Sequence, residues 1–363
     1  MYPICITYLS TLFLYICKMN YDIFDAIDRH DLKRLRYLLA RVKDLNYSCN
    51  IHNQDTYWAH GSRSFTPLER ACAANFAKGV VLLLERNAHI NHISKNKDTP
   101  LLVAIKKGHL HMVRLLCTHA VDVNLSDDKH SPLHVAVYYN HLEICKELVA
   151  HKANIYAVDN IGGMPFHYTI RPDRRALMEF FLSLDRKFVN KLSYDENYAI
   201  HNVIDHYQDL DLLRLCLRSG SDVDQRGWFG STPLHHACYF LHAYIYIPIL
   251  LAHGADINAT FETCYGVSTP LHHLWEEKLS SGSAWETHLG LLLSNGANPC
   301  IGYFRKTHLW SRFGTIQDIQ RKYRANWTMQ FLLACARKQT RVLPSSILSL
   351  PVDLLRSLHT FLR

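Results

Sequence analysis

A proline set in one short context returns along this chain at nearly constant spacing. Thr66-Pro67-Leu68, Thr99-Pro100-Leu101, Ser131-Pro132-Leu133, Met164-Pro165-Phe166, Thr232-Pro233-Leu234 and Thr269-Pro270-Leu271 place successive prolines 33, 32, 33, 68 and 37 residues apart. The step of 68 is two periods, and Tyr198-Ala199-Ile200-His201 stands midway as a copy without its proline. Self-similarity at this period means supersecondary units in series, each unable to bury its apolar face alone. The chain must stack them.

A second signal follows most copies in phase: Asn87-Ala88-His89-Ile90-Asn91, Ala120-Val121-Asp122-Val123-Asn124, Ala153-Asn154-Ile155, Gly220-Ser221-Asp222-Val223-Asp224, Gly254-Ala255-Asp256-Ile257-Asn258 and Gly296-Ala297-Asn298-Pro299. Between the two signals the pattern is helical. A threonine hydroxyl caps the first helix, and proline suits its first turn because the N–H there has no partner in any case. Leu133 and Ala136 then turn inward. A second helix keeps apolar residues at helical spacing, as at Leu142, Cys145, Leu148 and Val149. Gly220 or Gly254 supplies the left-handed residue that ends it. A short hairpin finger leads to the next unit.

Thr-Pro-Leu-His followed in phase by Gly-Ala-Asp-Ile-Asn resembles the ankyrin repeat family. The resemblance implies an all-α solenoid of helix-turn-helix units with short β-hairpin fingers, seven units over residues 65–300 with the fifth degenerate. Before them, residues 19–64 read as a capping repeat and a polar finger, with Ile23, Phe24, Ile27, Leu32, Leu35, Leu38 and Leu39 at helical spacing. Insertions fall at Phe261–Val267 and Glu277–Ser283. The family binds proteins and is not enzymatic.

Two segments lie outside the repeats. Met1 to Cys17 carries no charge, and Lys18 comes after the apolar run, whereas a signal peptide places its positive charge before it. Residues 1–18 are therefore read as an apolar N-terminal extension, and a membrane anchor is the less favoured alternative because serine, threonines and tyrosines interrupt the run. At the other end, residues 301–363 carry 11 basic and two acidic residues, a tail of +9 on a chain whose formal charge is +8. Residues 301–326 read as a basic connector. The charge is assigned to a solvated face that meets an acidic protein rather than nucleic acid.

Residues 327–363 resemble a SOCS box, the C-terminal helical box of many ankyrin proteins. In that family a Leu-x-x-x-Cys helix meets elongin C and a later Leu-Pro-x-Pro motif helps select a cullin. Phe331, Leu332 and Cys335 carry the first motif with Phe in place of Leu. Leu350, Pro351, Leu354 and Leu355 carry the second, with Asp353 where proline is usual. The resemblance implies elongin B, elongin C and a cullin scaffold as partners, hence a substrate adaptor of a ubiquitin ligase. Two alternatives stay open: an F-box-like end docking a Skp adaptor, since Leu350 to Leu362 also matches an F-box opening, and a plain helical cap on an interaction scaffold.

Nothing points to turnover. The chain has no Gly-rich phosphate loop, no nucleophile elbow and no His-Glu-x-x-His helix. His134, His167, His201, His235 and His272 share one position in the repeat, which indicates structure. His235, His236 and Cys238 are too close in sequence, without a second ligand group, for a structural zinc site. No cofactor or metal is expected. The 11 cysteines are scattered, with no CxxC pair, and Cys72, Cys117, Cys145, Cys216 and Cys238 sit in helical apolar patterns as core fillers. That usage fits a reducing compartment, so the chain is assigned to the cytoplasm with the nucleus also open to it. Target contacts are expected on fingers and first-helix ends, at Trp228, Phe229, Tyr138, Tyr139, Lys97, Asp128, Lys129 and Trp275, with Asn96 beside them. Tyr244 and Tyr246 are read as core.

Overall fold

The computed structural model describes residues 19, 21–42, 45–46, 49–50, 64–125, 129–193, 195–207, 209–239, 243–263, 266–271, 273, 291–292, 294–297 and 303–304. The chain divides into two units, Met1–Trp228 and Phe229–Arg363. Among the described residues no helix is long and apolar enough to cross a membrane.

The first unit opens with helix α1 (residues 21–28) and α2 (Leu32–Leu39), which bury Ile23, Phe24, Ala26 and Ile27 against Leu35, Leu38 and Leu39. Asp31 caps α2 by accepting the Arg34 N–H at 2.9 Å, and the Arg34 guanidinium returns to Asp25 and Asp22. His30 ties this pair forward, its Nε2 2.9 Å from the Ala74 carbonyl and its ring stacked on Phe76.

Three complete helix pairs follow: α3 (Pro67–Ala73) with α4 (Ala77–Glu85), α5 (Pro100–Lys106) with α6 (Leu110–Thr118), and α7 (Pro132–Tyr138) with α8 (Leu142–Ala150). Each first helix begins as its sequence dictates. Thr66, Thr99 and Ser131 are extended, proline occupies the first turn, and the hydroxyl accepts the N–H three residues on, at 3.2, 3.1 and 3.5 Å. Helix α3 packs on α5, and α5 on α7. Their shared core includes Leu68, Ala71, Cys72, Leu101, Ala104, Leu133 and Ala136, all essentially closed to solvent.

The fourth unit departs from the expected pattern. Its first segment, Pro165–Thr169, is a 3-10 helix, and the second helix is α9 (Arg175–Leu184). Pro172 explains the shortening, because proline forces its predecessor out of the helical region. Arg171 is accordingly extended, at φ −154° and ψ 147°. In the fifth unit α10 (Ala199–Asn202) runs into a single π-helical turn, Val203–Tyr207, before α11 (Leu210–Arg218). Its degeneracy in sequence thus has a counterpart in backbone.

The fingers also differ from expectation. In place of β-hairpins, residues 94–98 and 159–163 form turns closed by two backbone bonds each, Ser94 N to Asp98 O with Lys97 N to Ser94 O, and Asp159 N to Gly163 O with Gly162 N to Asp159 O; Ser193 N likewise donates to Asn197 O. Such loops are too short to continue into a ladder. Strand pairing appears where the connection is longer: β1 (Cys49–Asn50) pairs antiparallel with β2 (Ser64–Phe65) inside the polar finger.

The second unit contains α12 (Pro233–Tyr239) and α13 (Ala243–Ala252), with Tyr246, Ile247 and Leu250 buried. Tyr246 is core, as read from the sequence. The insertion at 261–267 is a hairpin, β3 (Phe261–Thr263) with β4 (Gly266–Ser268), and β4 takes β5 (Tyr303–Phe304) as a third strand. Tyr303–Phe304, within the stretch assigned to a connector, are therefore a strand. The 1–18 extension, the remaining connector residues and the 327–363 box lie outside the described residues.

Candidate protein-binding face

Two polar ladders run along the repeats, one that closes each unit's own cap and one that joins a unit to the next. The first uses the recurrent histidine. The Nδ1 of His134, His167, His201 and His235 accepts the backbone N–H of the cap residue three positions earlier, Ser131, Met164, Tyr198 and Thr232, at 3.2, 3.0, 3.4 and 3.1 Å. Accepting there leaves the proton on Nε2. In His134 that nitrogen donates to the Gly163 carbonyl of the next unit at 3.0 Å. Burial lowers the pKa of His134 and brings His167 down to about 4, so both rings are neutral at pH 7. Glu69 holds the same position in the first repeat, its Oε2 accepting the Thr66 N–H at 3.0 Å. Fully buried, it is raised to about 7, chiefly by desolvation.

The second ladder uses the asparagine that closes the other motif. The side-chain oxygens of Asn46, Asn91, Asn124 and Asn190 accept backbone N–H groups of His89, Asp122, Asn154 and Asp222, each in the following unit, at 2.8–3.1 Å. Asn190 also donates to the Gly220 carbonyl at 2.9 Å. Where the third copy has Tyr156 instead, its hydroxyl reaches across to Asp185 at 2.6 Å. Both ladders therefore serve structure, and the side chains left for recognition lie elsewhere.

They lie along the fingers and at the C-terminal ends of the first helices. Lys106, the last residue of α5, turns to the finger and pairs with Asp98. Tyr168, in the 3-10 helix, likewise donates to Asp159, which also accepts the Ile161 and Gly163 N–H groups at 3.0 and 2.8 Å. These donors outweigh burial and hold Asp159 below the ordinary carboxylate range. At the position of Lys106 in the next unit stands Tyr138, 61% exposed, with Tyr139 beside it at 45% and the rings edge-on at 5.4 Å. Beneath them Arg174 is almost fully buried. Its guanidinium donates to the Tyr138 and Tyr168 carbonyls, both at 2.7 Å, and lies 5.6 Å from the Tyr138 ring centre.

The other target candidates occupy fingers. Lys97 is exposed at φ 61°, and Lys129 is exposed. Trp228 is 53% exposed, and its N–H donates to Asn197 Oδ1 at 3.2 Å. Phe229 is 70% exposed at φ 55°, an unusual conformation for a bulky side chain. Asp128, Trp275, Phe331, Leu332, Cys335, Leu350, Pro351, Leu354 and Leu355 lie outside the described residues. Of the metal-like trio, His235 caps Thr232, His236 Nε2 meets the Ser231 hydroxyl at 2.7 Å, and Cys238 is buried. Reading the sequence missed Arg174, Tyr168 and Asp159. Arg174 stands nine residues past Pro165, outside the repeating motif, and no periodic signal marks it.

Proline-led, hydroxyl-capped helix pairs, tied to their neighbours through histidine and asparagine, define a repeat scaffold of the ankyrin type, an architecture that binds proteins. Family models agree: ankyrin repeats in three copies match residues 68–159, and a single ankyrin repeat matches residues 229–260. No curated protein matches the chain. Ankyrin scaffolds are in general non-enzymatic interaction scaffolds.

Proposed function

We propose that this scaffold recruits a target protein through its fingers and first-helix ends and delivers it to a cullin-type ubiquitin ligase through residues 327–363. The observation that supports target binding is the exposure of Tyr138, Tyr139, Trp228 and Phe229 on the fingers and first-helix ends. Aromatic side chains held in water invite a partner and dominate binding energy when covered. The ligase half is supported by the Phe331-to-Cys335 spacing and by Leu350-Pro351 with Leu354 and Leu355. On this reading elongin B, elongin C and a cullin dock at the box, and the chain works in the cytoplasm, with access to the nucleus.

The test is co-purification from cells. Elongins B and C should be recovered with the full chain and lost with Phe331→Asp/Cys335→Asp. A Skp adaptor recovered in their place moves the chain to the F-box-like class, which the run from Leu350 to Leu362 favours. If deleting residues 327–363 leaves every partner in place, the chain is a scaffold with no ligase link. Proximity labelling with the full chain and the deleted form separates target from adaptor, and fractionation of the same cells checks the compartment.

A further inference from the structure

The second to fourth units carry an electrostatic asymmetry at the ends of their first helices. The carboxylates described in that region are already engaged: Asp98 by Lys106, Asp159 by Tyr168 and two backbone N–H groups, and Asp173 by Arg171 at 3.2 Å. Among the described residues the cations are in excess. Lys95 and Lys107 are exposed, and among the described residues neither has a carboxylate partner. Arg174 adds a charge held in a low-dielectric setting, where its field is screened least.

The register places these groups in line. Helices α5 and α7 pack together, and α7 packs on the 3-10 helix of the fourth unit. Lys106-Lys107 and Tyr138-Tyr139, six and seven residues past Pro100 and Pro132, and Arg171, six past Pro165, therefore follow one another at the same edge, the edge whose Lys106 and Tyr168 side chains turn to the fingers. His141, stacked on Tyr139, would touch a Cβ added at Gly108, so the second and third units meet closely at this edge. Asn140 donates to the Asp173 carbonyl at 2.9 Å, which joins the third to the fourth.

We propose that the line Lys107, Tyr138, Tyr139 and Arg171 receives an acidic segment of a partner protein, with one aromatic or aliphatic side chain of that segment seated on the tyrosine pair. The inference rests on the protein-binding reading above and names the chemistry of the partner. Burial of both rings supplies the apolar anchor, and Arg174 holds the Tyr138 backbone from beneath through its carbonyl. Lys107 and Lys95 set sign and approach rate, because a basic segment would meet them at a like-charge cost, and Arg171, shared with the exposed Asp173, adds less.

The experiment uses the full chain and two fluorescein-labelled peptides, each with a central Phe-Leu pair flanked on both sides by alternating serine and charge, Glu in one and Lys in the other. Fluorescence anisotropy should show saturable binding of the Glu peptide, weakened by added salt, and none of the Lys peptide. Tyr138→Ser/Tyr139→Ser should weaken it about tenfold. Lys107→Glu/Arg171→Glu should abolish it, and Tyr138→Phe/Tyr139→Phe should retain it. All three variants should melt with the wild type, because the altered side chains are exposed. Equal binding of both peptides, binding of neither, or indifference to the serine pair overturns the proposal. If proximity labelling still recovers a target set in that case, the chemistry alone is wrong. An empty target set removes the protein-binding reading together with it.

Discussion

Glu69 and the histidines at its register position answer one problem with opposite charge rules. The cap residue's N–H needs an acceptor inside the stack. A neutral imidazole accepts through Nδ1 without penalty, whereas a carboxylate must be kept from ionising, and Glu69 is accordingly raised to about 7. The unfolded value lies near ~4.3, so between these values the native state holds more protons than the unfolded chain. The Glu69 contribution is complete below the unfolded value and lost as pH rises toward 7, an amount of about 3 kcal/mol. His167, lowered to about 4, runs the other way, contributing above its unfolded value of ~6.5 and losing the contribution as pH falls toward 4. Urea unfolding at pH 5 and pH 8 should show wild type minus Glu69→Gln growing less favourable at the higher pH; a flat difference contradicts the assignment. Arg174 makes a second prediction at this scale. Arg174→Met strips donors from two part-buried carbonyls and removes their partner charge from the site, which should cost about 1–2 kcal/mol in urea midpoint analysis. Arg174→Lys should recover little, since an ammonium lacks the guanidinium fork.

At the level of single elements, the start of each first helix was legible in the sequence because a cap hydroxyl and a proline act within one turn. Helix ends were less so. The left-handed terminator is Gly220 or Gly254 where the sequence advertises it, but Asn87, Ala120 and Lys152 adopt the same conformation without glycine. Alanine there suffers Cβ–carbonyl crowding of ~1–2 kcal/mol, against ~0.5–1 kcal/mol of added backbone entropy for glycine. Ala120→Gly should therefore stabilise the chain by about 0.5–1 kcal/mol, read as a rise in urea midpoint; a fall would mean that α6 ends for another reason. The short fingers at residues 94–98 and 159–163 were misread as hairpins because a turn and a short hairpin share their glycine and asparagine signals. The 3-10 helix of the fourth unit was hidden because Met164-Pro165-Phe166-His167 satisfies the motif, while Pro172, which cuts the helix short, lies beyond it. In the candidate face the sequence located Tyr138 and Tyr139 by position alone. It did not reveal Arg174 beneath them, since that contact joins residues 36 apart across two units.

For the molecule as a whole, neighbour-to-neighbour coupling sets how the chain opens. Cys72, Cys117, Cys145, Cys216 and Cys238 are buried in the cores of five different repeats, the fourth carrying none; burial pushes Cys117 to about 11, Cys145 and Cys216 to about 12, and the other two upward as well. A thiol reagent should label them at least about a hundredfold more slowly than in the unfolded chain, in an order that follows local opening rather than one shared transition. Simultaneous release of all five, mapped by mass spectrometry along a urea series, would contradict that view. The fourth unit shows what such a chain tolerates. A 3-10 helix rises ~2.0 Å per residue and an α-helix ~1.5 Å, so Pro165–Thr169 spans about the same distance as a seven-residue first helix. Reach along the axis, not tally of amino acids, is what each neighbour demands. Two positions are thereby released from winding, and the chain uses them to swing an arginine back over the preceding unit as a clasp.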